Sequence, residues 1–355
     1  MKKREGKKIR VLIADDSSVG RRLLASILSD DPSIEVVAMA SDGKEAFEMT
    51  IKHKPDVVSM DINMPVMDGI EATKRIMSFN PVPVIIVSSI YRDADVMTAI
   101  KELEAGAVMV LPKPHGPGHE TFEPSANKYL NAVKLMAEVK VVRRNNSYNH
   151  NPSHVKTTLK QDVCRFCTDA KVVAIGSSAG GPEALKLFLS ELSPSFPLPI
   201  LLVQHIDSSF THGFTAWLNS FSSLKAVISE EGEEPYKGNI YMPPPDRHMI
   251  IKNGRISIIT ESEISTLHKP SVDVLFYSVA KYYKEQSIGI ILSGMGKDGA
   301  EGLNRMKNAG AFTFIQDSTS ALIYGMPGEA EKLGAACAIL SPVDIAKKLN
   351  LIYTK

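Results

Sequence analysis

The stretch from Val172 to Phe188, VVAIGSSAGGPEALKLF, runs from an apolar segment through a turn of small residues into an amphipathic continuation. VVAIGSS reads as a buried strand and Glu183 to Leu192 as a helix, with Gly176, Gly180 and Gly181 permitting the tight backbone turn between them. A strand that enters a helix through a glycine-rich turn is the building unit of a parallel sheet covered by helices. The pattern continues outward. LPILLVQH, KAVIS, IGIILSG and AFTFI read as further, mainly parallel strands, and Ala300 to Ala309 as another helix. NIYMPPP and MIIKNGRISIIT depart from this pattern. The Asn253-Gly254 step between two β-rich runs signals a hairpin, so a small antiparallel element is expected to interrupt the α/β core.

The same alternation occurs toward the N-terminus. IRVLIA, IEVVAMA, DVVSM, VPVIIVSS and AVMVLP read as five strands rich in Val and Ile. Between them, apolar residues at helical spacing predict helices over Ser17 to Ser29, Gly43 to His53, Gly69 to Ser78 and Asp93 to Leu103, with a fifth over Asn127 to Val142. Arg143 to about Ala170 breaks both patterns with RRNNSYNHNPS and scattered basic residues, which predicts a flexible, mildly basic linker. The expected fold class is therefore α/β, with two doubly wound parallel-sheet domains. A five-stranded one spans residues 1–142, and a larger one with a small antiparallel hairpin spans 170–355, joined by a linker over 143–169.

Bulk properties permit this and narrow the function. With 355 residues, 44% of them hydrophobic, the chain can build two ordinary cores. Lys plus Arg at 41 against Asp plus Glu at 40 leaves a formal charge of +1, which gives no global attraction for nucleic acid or an acidic membrane. The basic start MKKREGKKIR precedes an apolar run that soon ends in Asp15 and Asp16, so neither a signal peptide nor a spanning segment is expected. A cytoplasmic location without membrane insertion follows as the expectation. Cys164 and Cys167 have C-x-x-C spacing but no second ligand pair nearby, and reduced, unligated thiols are expected there.

Ligands of such sheets bind at the carboxyl ends of strands. In the first half, Asp15 and Asp16 follow the first strand, Asp61 the third, Ser88 the fourth and Lys113 the fifth. Converging carboxylates from Asp15, Asp16 and Asp61 repel one another unless they hold a hard divalent cation such as Mg²⁺. Asp61 then acts as the nucleophile that accepts a phosphoryl group, Ser88 offers it a hydroxyl and Lys113 a point charge. A cis Lys113-Pro114 bond would aim that lysine inward.

In the second half, the G-x-S-x-G frame selects Ser178 over Ser177 as a nucleophile. The following helix N-terminus can direct N–H groups at a developing oxyanion. On its own the turn also suits a phosphate of a dinucleotide, but His205 ends the next strand and Asp298 follows IGIILSG, both at the same rim. They supply a general base and its orienting partner. His212 and His248 are weaker candidates for the base. The order Ser, His, Asp matches none of the three commonest triad orders, so membership of the α/β-hydrolases does not follow.

Ile9 to about Lys140 resembles the receiver domain of bacterial response regulators, on the strength of Asp15-Asp16, DINMPVMDG, Ser88 and Lys113-Pro114. The resemblance implies phosphate transfer from a histidine kinase to Asp61, with Ser88 and a residue on the strand before Lys113 reporting the change. AVMVLP lacks the aromatic that receivers often carry there. Lys171 to about Leu351 resembles the catalytic domain of the chemotaxis protein-glutamate methylesterases, through IGSSAGG, VQHI, KPSVDVLF, GMGKDGA and YGMPGEA. That resemblance implies Ser178 as nucleophile, His205 as base, Asp298 as its partner and the backbone N–H of Met295 as oxyanion donor. It also implies action on methylated glutamates of chemoreceptor helices, with glutamine deamidation in some members. A cofactor-free esterase site, and inhibition by the receiver until Asp61 is phosphorylated, are further expectations. Ala179 stands where the family commonly has Thr, and HIDSSFT adds Asp207 near His205. Two other classes compete: a phosphorylation-controlled binding module with little turnover, against which Ser178, His205 and Asp298 together weigh, and a transcription regulator, for which no helix-turn-helix or basic face is present.

Overall fold

The computed structural model describes residues 7–89, 99–101, 103–139, 141, 169–260, 266 and 268–354. The chain divides into two compact units, Met1–Tyr148 and Asn149–Lys355. The predicted linker and Cys164 and Cys167 lie outside the described residues, as does most of the helix expected over Asp93 to Leu103. Helical residues are found at 99–101 and 103–105. The described cysteine, Cys337, is a free thiol.

The first unit is a parallel sheet of β1 (Ile9–Ala14), β2 (Ile34–Ala40), β3 (Val57–Met60), β4 (Val84–Ser88) and β5 (Met109–Pro112), in the order β2-β1-β3-β4-β5. Val11 to Ile13, Val57, Val58 and Val84 to Ile86 are fully buried, as expected for strands covered on both faces. Helices α1 (Ser18–Ser29), α2 (Gly43–His53) and α3 (Gly69–Phe79) each begin at a capping side chain, from Ser17, Asp42 and Asp68 respectively. Helix α4 (Phe122–Met136) begins and ends earlier than its apolar spacing predicts. Pro124 falls in its first turn, where the missing N–H costs nothing, and turn bonds from Glu138 and Val139 close its end.

The second unit is built on seven parallel strands: β6 (Val172–Ser177), β7 (Ile200–Gln204), β8 (Lys225–Ile228), β9 (Asn239–Met242), β12 (Ser287–Ile291), β13 (Phe312–Gln316) and β14 (Ala338–Leu340). Their order is β14-β13-β12-β6-β7-β9-β8. β10 (His248–Lys252) and β11 (Arg255–Ile259) form the separate antiparallel hairpin. Asn253 and Gly254 turn it with φ of 52° and 78°, the two positive values that a tight two-residue hairpin requires. Grouping NIYM with that hairpin is corrected by the structure: β9 pairs in parallel with both β7 and β8 and belongs to the main sheet. Four residues with a proline run behind them show too little alternation to reveal which sheet they join.

Strand order decides where each unit can hold a ligand. In the first, the chain goes outward from β1 on one side to β2 and on the other to β3, so the reversal lies between β1 and β3. In the second, β7 lies on one side of β6 and β12 on the other, so the reversal lies at β6 and β12. A crevice opens at such a point because the two connecting segments leave in opposite directions. Helices α5 (Gly181–Glu191), α6 (Thr211–Asn219), α7 (Val272–Tyr282), α8 (Ala300–Asn308), α9 (Gly325–Lys332) and α10 (Pro342–Tyr353) cover the larger sheet.

One close approach under the second crevice is testable. A Cβ at Gly176, next to the end of β6, would lie 2.2 Å from Cγ1 of the buried Val272. Gly176→Ala is expected to destabilise this unit by about 1–3 kcal/mol, and Val272→Ala in the same chain to recover much of that loss. Denaturant unfolding followed by fluorescence of Trp217, the single tryptophan, reads the effect in this unit.

Candidate active site and phosphorylation site

The rim of the first unit collects the predicted acids. Asp15 and Asp61 continue β1 and β3, locked by backbone bonds from Asp15 N to Ala40 O at 3.2 Å and from Asp61 N to Ala14 O at 2.8 Å. Asp15 is fully buried, Asp61 nearly so and Asp16 exposed. One carboxylate oxygen from each lies within 4.8 Å of the others. Lys113 Nζ sits between two of them, 2.8 Å from Asp15 Oδ2 and 2.9 Å from Asp61 Oδ2. The Lys113-Pro114 bond is trans, not the cis form that would aim the lysine inward; the described cis bond is Lys269-Pro270. Lys113 reaches inward regardless, because its four-carbon stem spans the distance from the end of β5. Ser88 is buried at the end of β4, where its carbonyl accepts the Lys113 N–H at 2.9 Å.

Electrostatics there favour an incoming cation. Burial pushes the Asp61 carboxyl above its ordinary value, Lys113 works against that rise and Asp15 adds to it. Burial alone would lower Lys113, but bonds to Asp15 and Asp61 more than offset it and raise its pKa. An oxygen-only set of clustered carboxylates, two of them buried, fits a hard divalent ion.

At the larger sheet, β6 ends in register with β7 at the pair Ser177 and Gln204, so Ser178 and His205 leave adjacent strands side by side. Ile291 of β12 pairs with Gly176 on the other side, and the loop after β12 returns Asp298 to the same rim. His205 Nε2 lies 2.8 Å from Asp298 Oδ2. The other ring nitrogen, Nδ1, is buried without a hydrogen-bond partner. With Nε2–H donated to the carboxylate, Nδ1 holds the lone pair of the neutral ring.

Asp298 is more thoroughly bound than a sequence can show. Its Oδ1 accepts from Ser271 Oγ at 2.8 Å and from Asp273 N at 3.1 Å, and its Oδ2 accepts from Val272 N at 2.7 Å as well as from His205. Burial alone would raise the carboxyl, but the bond to His205 and those backbone donors hold it well below the ordinary carboxylate range. Burial shifts the neighbouring Asp273 the other way, upward, and Asp298 adds to that rise. Of two adjacent acids, Asp298 is therefore the stronger, and the last to lose its charge as pH falls.

Ser178 is half-buried in the turn before α5, where Gly180 takes φ of 75°. Its N–H is fixed to Ser293 O at 3.0 Å, while buried Ser293 Oγ donates to Ala179 O at 2.8 Å. The loop after β12 passes against the nucleophile: a Cβ at Gly294 would stand 3.0 Å from Ser178 Cβ and 2.2 Å from Met326 Sδ. Met295, the predicted oxyanion donor, is the next residue along. Ala179 is buried and offers only its methyl group.

The weaker candidates fall elsewhere. His212 is exposed on α6. His248 is buried behind the site, with Nδ1 accepting from Ser271 N at 3.2 Å, and burial lowers its pKa. Asp207 caps a short helical turn by accepting from Ser209 N and Oγ. Sequence reasoning misses Gln204, Ser271, Ser293 and His268. The His268 ring stacks on His205 with centroids 4.5 Å apart and planes 14° apart, and its pKa is lowered by burial first and by His205 second. Ser271 lies within KPSVDVLF, where a serine before an apolar helical run reads as an N-cap; its second bond, to Asp298, has no sequence signal.

These features define a phosphoacceptor-like acidic rim on one unit and a serine hydrolase-like site on the other. A family model described as CheB methylesterase matches residues 173–349, and one described as response regulator receiver domain matches residues 11–119. A protein-glutamate methylesterase/protein-glutamine glutaminase of Nitrosospira multiformis is 42% identical over 97% of this chain and 97% of its own. One from Geobacter metallireducens is 43% identical over 96% of this chain and 98% of its own. The crystal structure of the Thermotoga maritima CheB methylesterase catalytic domain is 35% identical, covers 51% of this chain and 97% of its own, and has a TM-score of 0.48. The chain belongs to the CheB methylesterase family, with a response regulator receiver domain preceding the methylesterase domain.

Asp298→Asn would point an amide N–H₂ at groups that are themselves donors and remove the charge opposite His205 Nε2. A loss of roughly 10³–10⁴-fold in turnover is expected, with the far-ultraviolet circular dichroism unchanged. Ester-hydrolysis kinetics measured beside the spectrum check it.

Proposed function

We propose that Ser178, His205 and Asp298 hydrolyse glutamyl methyl esters on chemoreceptor helices, and that phosphorylation of Asp61 turns this activity on. The observation that carries the reading is the His205 ring, tied by Nε2 to a saturated Asp298 while Nδ1 stays without a partner. In this mechanism Nδ1 takes the proton of Ser178 Oγ as that oxygen attacks the ester carbonyl. Asp298 stabilises the imidazolium, and the Met295 N–H faces the developing oxyanion, a contact typically worth about 10²–10³-fold in rate. Collapse expels methanol, which leaves with the proton from Nδ1. Water then enters, gives a proton to the same nitrogen and hydrolyses the acyl-enzyme, restoring Ser178 and a glutamate carboxylate. A glutamine substrate follows the same path with ammonia as the leaving group.

Residues 1–142 form the receiver in this mechanism, 143–169 the linker and 170–355 the catalytic domain. Asp15, Asp16 and Asp61 are the residues that would hold Mg²⁺, which supplies charge neutralisation for an incoming phosphoryl group. Asp61 accepts that group from a histidine kinase, while Lys113 exchanges carboxylate oxygens for phosphoryl oxygens and Ser88 offers its hydroxyl. The receiver holds the esterase in a low-activity state, and phosphorylation shifts the population away from it. Among the described residues no helix is long and apolar enough to cross a membrane, and the reading is of a cytoplasmic enzyme acting on receptor cytoplasmic helices without nucleic acid.

Methanol release from methylated receptor membranes, with and without acetyl phosphate and Mg²⁺, tests this directly. The wild-type chain is expected to be stimulated by the phosphodonor, Asp61→Asn to show only basal release, and Ser178→Ala to show none. Undiminished release by Ser178→Ala would remove the esterase reading, and equal stimulation of Asp61→Asn would remove the control.

A further inference from the structure

Gln204 is the last residue of β7 and is almost wholly buried. Its Oε1 accepts from Ser177 Oγ at 2.6 Å. Its Nε2 donates to two backbone carbonyls at once, Ser178 O and His205 O, each at 2.9 Å. Only this orientation of the amide is satisfied, since the reverse would set Oε1 against two carbonyl oxygens. The sheet ladder between β6 and β7 closes with His205 N donating to Ser177 O at 2.9 Å. Beyond it the two chains part, toward α5 and toward α6. The Gln204 amide carries the connection one residue further on both sides, onto the two residues whose side chains must meet. Space for it is reserved by Gly181, where a Cβ would lie 2.4 Å from Oε1.

We propose that Gln204 is a positioning residue that sets the spacing of Ser178 from His205 by bridging their carbonyls. The inference rests on Ser178 and His205 being the reacting pair. A carboxamide suits this bridge because it accepts from Ser177 on one atom and donates twice from the other. Glutamate has the same shape, but as a carboxylate it would oppose both carbonyls. Its charged form is thus disfavoured, its pKa raised, and its protonated form restores one of the two bonds.

The experiment uses the full chain and a fluorophosphonate probe, which reacts with an activated serine and needs neither receptor nor phosphodonor. The second-order rate of Ser178 modification is measured for wild type, Gln204→Glu and Gln204→Met across roughly pH 5.5 to 8.5, with thermal melts alongside. Asp246 and Lys269 line the adjoining cleft with Gln204, and these groups and His205 are common to wild type and variants, so each variant rate is read as a ratio to wild type at the same pH. Gln204→Glu is expected to lose about tenfold or more relative to wild type at the alkaline end and to regain much of it at the acid end. Gln204→Met is expected to stay slow throughout, and with methylated receptor as substrate both losses fall on kcat while KM holds. A Gln204→Glu rate that follows wild type at every pH, or that falls by one constant factor matching a lowered melting temperature, overturns the positioning role. Labelling that survives in Ser178→Ala overturns the assignment of the nucleophile, and this inference with it.

Discussion

The larger unit turns on the carboxylate of Asp298. It is buried, yet it accepts four hydrogen bonds, from Ser271 Oγ, Val272 N, Asp273 N and His205 Nε2. A buried charge is costly unless it is fully bonded, so this ion couples three parts of the chain: the loop after β12, the start of α7 and the end of β7. The same bonds choose which imidazole nitrogen stays basic. They also explain the supporting roles around the site, where His248 accepts the Ser271 N–H from behind and His268 covers the His205 ring.

Both units solve their chemistry at the same topological place. A reversal of strand order opens a crevice, and the residues just past the strand ends line it. In the receiver, backbone amides and Lys113 hold acids close together at an electrostatic cost that a divalent cation would relieve. In the esterase, a saturated acid, a histidine and a serine follow three strands, β12, β7 and β6, that are neighbours in the sheet although β12 is far from the other two in sequence. In the proposed mechanism the receiver uses residual repulsion to attract its cation, and the esterase uses a fully bonded ion to orient its base.

Most of this architecture is legible in the chain. Short Val- and Ile-rich runs alternating with helical spacing mark both sheets, and glycine-framed turns at Ser178 and near Asp298 mark strand ends where chemistry collects. Placement of β9 is not legible, because four residues cannot declare their sheet. The early start of α4 is hidden by Pro124, a residue that breaks helices inside but not in the first turn. The triad residues lie at predictable strand ends, whereas Ser271 and Gln204 act through bonds whose geometry depends on register and side-chain direction. His268 has no marker at all, since ring stacking leaves no spacing pattern in sequence.

The proposed mechanism depends on the tautomer of His205, with the proton on Nε2 facing Asp298 and the lone pair on Nδ1 available to Ser178. Long-range proton–nitrogen correlation NMR of the histidine rings, with His205→Gln to assign the signal, measures this directly in the resting protein. Measured on the neutral ring, the expected result is a proton on Nε2, shifted strongly downfield, with Nδ1 bare. A resting ring protonated at Nδ1 would contradict the mechanism.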